Sequence, residues 1–179
     1  MPTPLSHFTL GRIIYKSKKT LSLPGLIIGS IIPDMDIVFS QLTGGYVGRE
    51  LLHSFVGAGT LGTLLSTLLV VLVYPRVIST FFRIDKEEVK RACKLSKNLL
   101  SSSFIGGLSH ILIDATCHNY NPLFYPFTRE SIDLLLLTTD WKQAYFLVEL
   151  LLTILLGILI FSLLRRKSQK FWKLMLVGN

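Results

Sequence analysis

Two long apolar stretches dominate the pattern along the chain. Residues 55–74 (FVGAGTLGTLLSTLLVVLVY) carry no charge, and Pro75-Arg76 closes them. Residues 143–164 (QAYFLVELLLTILLGILIFSLL) hold Glu149 as their only charge and end at Arg165-Arg166-Lys167. Each is long enough to cross about 30 Å of hydrocarbon as a helix. Two further stretches are weaker. Residues 21–33 (LSLPGLIIGSIIP) are apolar, but a helix of that length rises only about 20 Å, too short to cross alone. Residues 99–117 are long enough but contain His110 and Asp114; their serines and Gly106-Gly107 suit close packing inside a bundle. Between the spans, residues 76–98 are polar with a helical pattern, and Asp85 is placed to cap a helix starting at Lys86. Residues 119–142 carry Pro122, Pro126, Asn119 and Asn121 and read as a long loop. The pattern predicts an all-α integral membrane bundle of four to five helices, some only half-spanning, in a single domain over residues 1–179.

Composition agrees. Half of the 179 residues are hydrophobic, the mean hydropathy is +0.52, and charged residues make up 17%, against about 25% in an ordinary soluble domain. Disorder is excluded, because it needs low hydrophobicity. The formal charge of +8 falls in blocks: Lys16 to Lys19, Arg76 to Lys97, and Arg165 to Lys173. Two of these directly follow apolar runs. That is the signature of cytoplasmic segments and not of a nucleic-acid face, so no nucleic-acid partner is expected. Segment 76–98 holds seven Lys and Arg and tail 165–173 holds five, whereas 119–142 has only Arg129 and Lys142. The expectation is a multi-pass cell-membrane protein with a basic cytoplasmic loop at 75–98, a cytoplasmic tail at 165–179, and the 119–142 loop outside. Cys93 and Cys117 form neither a CxxC motif nor a disulfide framework. The first residues lack signal-peptide order, so the N-terminus is expected to be retained. Trp141 and Tyr145 suit an interfacial aromatic belt, and Trp172 a membrane-surface anchor.

The chemistry lies in the histidines. All four (His7, His53, His110, His118) stand beside a helix end or a carboxylate, and none falls in the basic segments. His110, Asp114 and His118 are spaced i, i+4, i+8, one face of a helix. Asp34 and Asp36 form Pro33-Asp34-Met35-Asp36 directly after the short apolar run. Ionisable groups inside an apolar segment are costly and are functional candidates. A divalent metal would account for them, since imidazole with carboxylate suits zinc, manganese, iron or nickel. Such a metal lowers the pKa of water to about 7. Each element also has a plain reading: an i,i+4 ion pair, a turn, an interfacial histidine. Ser54 and Ser109 have no local His–Asp arrangement, so a serine hydrolase has little support.

These residues resemble motifs of the prokaryotic family of membrane-bound metal-dependent hydrolases, which are similar to the zinc-dependent phospholipase C fold. The matching pieces are Met1-Pro2 with Ser6-His7, Leu26 through Asp36, Arg49 through His53-Ser54, and Gly106-Gly107-Leu108-Ser109-His110 through Asp114 and His118. The resemblance implies Asp34, Asp36, His53, His110 and Asp114 as ligands, with His7 and His118 next, around a divalent metal such as zinc in a phospholipase C-like helical core. Relatives read His-Arg-x-x-x-His-Ser, but Gly48 stands where the first His would be, and no histidine follows His118. One metal or a pair is therefore expected, not three. The expected activity is attack by metal-activated water on a phosphoester of a membrane lipid or lipid-linked molecule at the outer face, with Asp34 or Asp36 as general base if not a ligand. The rival expectation is a non-enzymatic scaffold or envelope-stress protein whose polar cluster holds helices together. A transporter is disfavoured because the acids cluster at one end. His7 joins the site only if the 5–15 segment folds back as a helix against the others.

Overall fold

The computed structural model describes residues 3–44, 50–133, 136–165 and 170–178. Met1, Pro2, Gly48, Arg49, Arg166 and Lys167, which figure in the sequence patterns above, lie outside the described residues. The described chain is all-helical. Its elements are α1 (Pro4–Ser17), α2 (Leu23–Gly29), a 3-10 turn (Ile32–Asp34), α3 (Met35–Leu42), α4 (Phe55–Gly57), a π turn (Ala58–Gly62), α5 (Thr63–Leu72), α6 (Tyr74–Phe82), α7 (Lys86–Ala92), α8 (Lys97–Ala115), α9 (Trp141–Arg165) and α10 (Phe171–Leu176). Three stretches are long and apolar enough to cross a membrane: Leu23–Leu42, Phe55–Leu72 and Trp141–Arg165. The first corrects the sequence expectation for 21–33. The helical run does not stop at Pro33 but resumes as α3, because a proline in the first turn of a helix costs no backbone bond.

The helix starts follow local chemistry. Ser22, Ser54, Asp85 and Ser96 each accept a backbone N–H from three residues on, and so cap α2, α4, α7 and α8. Segment 76–98, expected as one basic loop with a helical pattern, is two short helices, α6 and α7. Pro75 does not end the span region outright; it sits in the first turn of α6 after a bend at Val73.

α2 and α8 make the central contact, and it depends on small side chains. A Cβ on Gly106 would stand 2.6 Å from the Leu26 carbonyl oxygen and 2.9 Å from the Ser30 nitrogen, and one on Gly25 would meet Leu99 and Ser102 at 3.0 Å. Ser102 accepts the Ser22 N–H at 2.8 Å, and Thr67 on α5 donates to Ser103 at 3.4 Å. Without a hydrophobic drive in lipid, such close backbone approach and interhelical hydrogen bonding hold helices together. Gly106→Val is expected to cost at least about 1–3 kcal/mol, the usual price of overpacking, read as a lower melting temperature in detergent.

α9 buries a single stripe, Ala144, Val148, Leu152, Leu156, Leu159 and Leu163, at spacings of three and four. Its other faces leave Phe146, Leu147, Leu150, Leu151, Ile154, Ile158 and Phe161 exposed, as α5 leaves Leu64, Leu68 and Leu72. Apolar surface on that scale fits lipid and not water.

The described chain sorts into two ends. Lys18 to Ser22 turn α1 back into α2, so His7 near the start of α1 lies beside Ser30 at the end of α2. The opposite end gathers α6, α7, α10 and the second half of α1. There Arg12 donates to the Leu174 carbonyl (2.7 Å), Tyr74 to the Leu176 carbonyl (2.8 Å), and Lys173 pairs with Glu88. Val70, Tyr74, Ile78, Val89, Cys93, Leu99 and Val177 form the core beneath, where burial pushes the Cys93 thiol up to about 12. α10, within the basic tail, is thus a packed element. Among the described residues only Asp85, Glu87 and Glu88 are acidic at this end, while of the Lys and Arg only Arg129 and Lys142 lie at the other.

Candidate metal centre

α8 supplies the backbone of the site. His110 and Asp114 lie one turn apart on its buried face, 0% and 2% exposed. Helix α8 ends at Ala115, so His118 does not continue the helical stripe; it stands in the turn that follows. Its Nε2 is still 3.7 Å from Asp114 Oδ2.

His110 has a defined tautomer. Its Nδ1 lies 2.8 Å from the Ser30 carbonyl oxygen. A carbonyl only accepts, so Nδ1 carries a proton and Nε2 is the atom turned to the cluster. Nε2 faces Asp114 Oδ2 at 3.3 Å and Asp34 Oδ1 at 3.7 Å. The Ser30 hydroxyl in turn donates to the His7 carbonyl at 3.1 Å, joining α1 to the same point. The His7 ring stacks on His110 with centroids 3.8 Å apart, and its Nε2 is 3.5 Å from Asp114 Oδ1. The fold-back of α1 therefore brings His7 into the cluster.

His53 enters from the start of the Phe55–Leu72 helix. Its Nδ1 lies 3.3 Å from Asp36 Oδ2, which also accepts the Leu52 N–H at 2.6 Å. With Nδ1–H given to that carboxylate, His53 Nε2 faces Asp34 Oδ1 at 4.0 Å and Asp114 Oδ2 at 3.7 Å. The Phe55 N–H donates to the Leu123 carbonyl at 2.9 Å, which ties the loop after His118 over this corner.

The two aspartates of Pro33-Asp34-Met35-Asp36 thus do different things. Asp34, in the 3-10 turn, faces His53 and His110. Asp36, in the first turn of α3, stands behind His53 and orients it, the arrangement common to metal-ligating histidines. Sequence spacing does not separate them, because the backbone changes from 3-10 to α between the two positions.

Three groups bring one donor atom per residue within 4.8 Å of one another: His7, His110 and Asp114; Asp34, His53 and His110; and Asp114, Cys117 and His118. Each could hold a metal ion. The donors fit one chemically, since imidazole and carboxylate suit zinc and its neighbours. Bonds of about 2.1 Å to a tetrahedral zinc set ligands about 3.4 Å apart, and the closest donor pairs here are separated by 3.3 to 3.7 Å. Nε2 lone pairs held against carboxylate oxygens repel unless a cation or a proton lies between them. Asp34 and Asp114 together balance one divalent charge.

Glu149 belongs to the frame of the site. From α9 it accepts the Thr3 N–H (3.0 Å), the Thr3 hydroxyl (2.8 Å) and the Ser6 hydroxyl (2.9 Å). It holds the first turn of α1, directly before His7. Its place inside an apolar span marked it for notice, but its partners, some 145 residues away, left no local trace. Cys117 packs against Ala144, Val148 and Leu152 on α9, and its thiol donates to the Ile113 carbonyl.

Residues 4–178 match the YdjM inner membrane protein family. No curated protein and no solved structure matches the chain. The chain belongs to the YdjM inner membrane protein family, and that membership together with the three apolar helices makes it a membrane protein.

Proposed function

We propose that this family member is a membrane-bound, metal-dependent hydrolase acting on a phosphoester of a lipid or lipid-linked molecule. One observation carries the reading: imidazoles and carboxylates from α1, the 3-10 turn, the start of α4 and α8 converge on one point inside an otherwise apolar bundle. The resemblance of the same residues to metal-dependent hydrolase motifs supports it. A divalent metal, zinc by donor chemistry, would be held by His7, His53, His110 and Asp114, with His118 beside Asp114 and Asp34 left as the general base, and would supply Lewis acidity and activated water. Asp36 fixes the His53 tautomer. The Asp34 side chain is the most accessible of the acids at the centre, at 14%, although both of its oxygens are buried; substrate would approach from its side, and Asp34 can accept a proton there. α3, which begins at the next residue, exposes Val38, Phe39 and Leu42, apolar surface suited to an acyl or prenyl chain. The gathering of the basic blocks at the opposite end supports a cytoplasmic C-terminus and a centre towards the outer face.

The test is turnover in nanodiscs by the zinc-loaded protein, on a panel of phospholipids and prenyl phosphates. Product formation is expected to fall about 10²–10⁴-fold in Asp34→Asn, the range for loss of a general base. A second reading is favoured by the near-complete burial of the imidazoles: a structural metal centre that pins the helices. Zinc-loaded protein with no turnover on any member of the panel would select it.

A further inference from the structure

Glu149 is the only charge in α9 between Lys142 and Arg165. An acid there is costly, and its three donors all come from the start of α1: the Thr3 N–H, the Thr3 hydroxyl and the Ser6 hydroxyl. α1 lacks the devices that usually secure a helix start. Its first turn holds no acid, and Thr3 makes no side-chain cap on the backbone of α1. Thr3 gives its hydroxyl to Glu149 instead. Negative charge at a helix N-terminus is favoured by the helix dipole, and here it comes from a different helix.

α9 is itself packed against the end of α8. Val148, the neighbour of Glu149, clusters with Ala144, Leu152, Cys117 and Ile113, and Ile113 adjoins Asp114. Glu149 therefore braces the start of α1 from the helix that lies against the Asp114 turn. His7 and Asp114 stand at the two ends of that brace, with Nε2 3.5 Å from Oδ1.

The other fastenings near His7 run to α2. The Ser30 hydroxyl donates to the His7 carbonyl at 3.1 Å, and a Cβ on Gly11 would stand 3.3 Å from the Leu26 carbonyl. Packing on one helix leaves a tilt free, and a contact with a second helix removes it. Metal–nitrogen bonds tolerate only about 0.2 Å, so a small tilt of α1 takes the imidazole out of range.

We propose that Glu149 is the positioning residue of His7, an inference that rests on His7 as a ligand of the proposed centre. Its carboxylate fixes the tilt of α1, and the share of metal affinity that His7 supplies depends on it. Glu149 acts only through α1 and touches neither metal nor substrate.

The test is a double-mutant cycle on zinc affinity, read by competition with a chromophoric chelator on the full chain in detergent. Glu149→Leu is expected to weaken zinc by about 10–100-fold, the range for losing a group that orients a ligand. His7→Ala should weaken it at least as much. The double variant should bind within about threefold of His7→Ala alone, because the two residues act as one unit. The visible spectrum of cobalt(II) in Glu149→Leu should also match that in His7→Ala. If circular dichroism shows Glu149→Leu unfolded, Thr3→Ala with Ser6→Ala removes both hydroxyl donors at the other end of the brace and carries the same expectations. Unchanged zinc affinity in Glu149→Leu would overturn the proposal. So would a further tenfold loss on adding it to His7→Ala, or a cobalt spectrum like that of the unaltered chain. Unchanged affinity in His7→Ala is a separate result: it would remove His7 from the centre and the inference with it.

Discussion

Asp114→Asn is expected to abolish a zinc-dependent rise in the melting temperature of the protein. In the unaltered chain, zinc at a hundred times its dissociation constant is expected to stabilise the fold by about 2.7 kcal/mol. For a domain of this size that corresponds to a rise in melting temperature of about 5–10 °C. Asp114 stands at the crossing of the cluster, within 3.3 to 3.7 Å of nitrogens from all four histidines. The asparagine keeps the shape but surrenders the charge and one acceptor oxygen, so a cation there loses its principal counter-charge. Differential scanning fluorimetry in detergent, with zinc and then with chelator, reads the effect. A zinc-dependent rise of the same size in Asp114→Asn would mean that the metal sits elsewhere.

Asp36→Ala should give a different result. It touches the centre only through His53, so the metal stays but binds about 10–100-fold more weakly, the usual cost of losing the carboxylate behind a ligating histidine. Competition with a chromophoric chelator measures this. Unchanged affinity would show that His53 needs no support. A loss as complete as that of Asp114→Asn would make Asp36 a ligand in its own right.

How much of this was legible in the sequence depends on the range of the forces involved. The spans at 55–72 and 141–165 are declared by long apolar runs, the second interrupted in its middle only by Glu149, and the α7 and α8 starts by local caps at Asp85 and Ser96. The residues of the cluster were also legible, because histidines beside carboxylates in apolar surroundings are rare enough to stand out. Their roles were not. Asp34 and Asp36 differ only through a change of helix type between them, and His118 leaves the i,i+4 stripe because α8 stops at Ala115. The fold-back of α1, which puts His7 on His110, depends on contacts across the chain, among them Ser30 with His7 and Glu149 with Thr3 and Ser6. The docking of α10 likewise rests on Arg12 reaching Leu174 and Tyr74 reaching Leu176. Such pairings have no periodicity to read.

Metal content tests the proposed centre most directly. The chain is purified in detergent without a histidine tag or chelator, exposed to zinc, desalted, and assayed by elemental mass spectrometry beside Asp114→Asn. The expected result is one or two equivalents of divalent metal per chain and almost none in the variant. Less than about a tenth of an equivalent in the unaltered protein, after exposure to zinc and to manganese, would contradict a metal centre altogether.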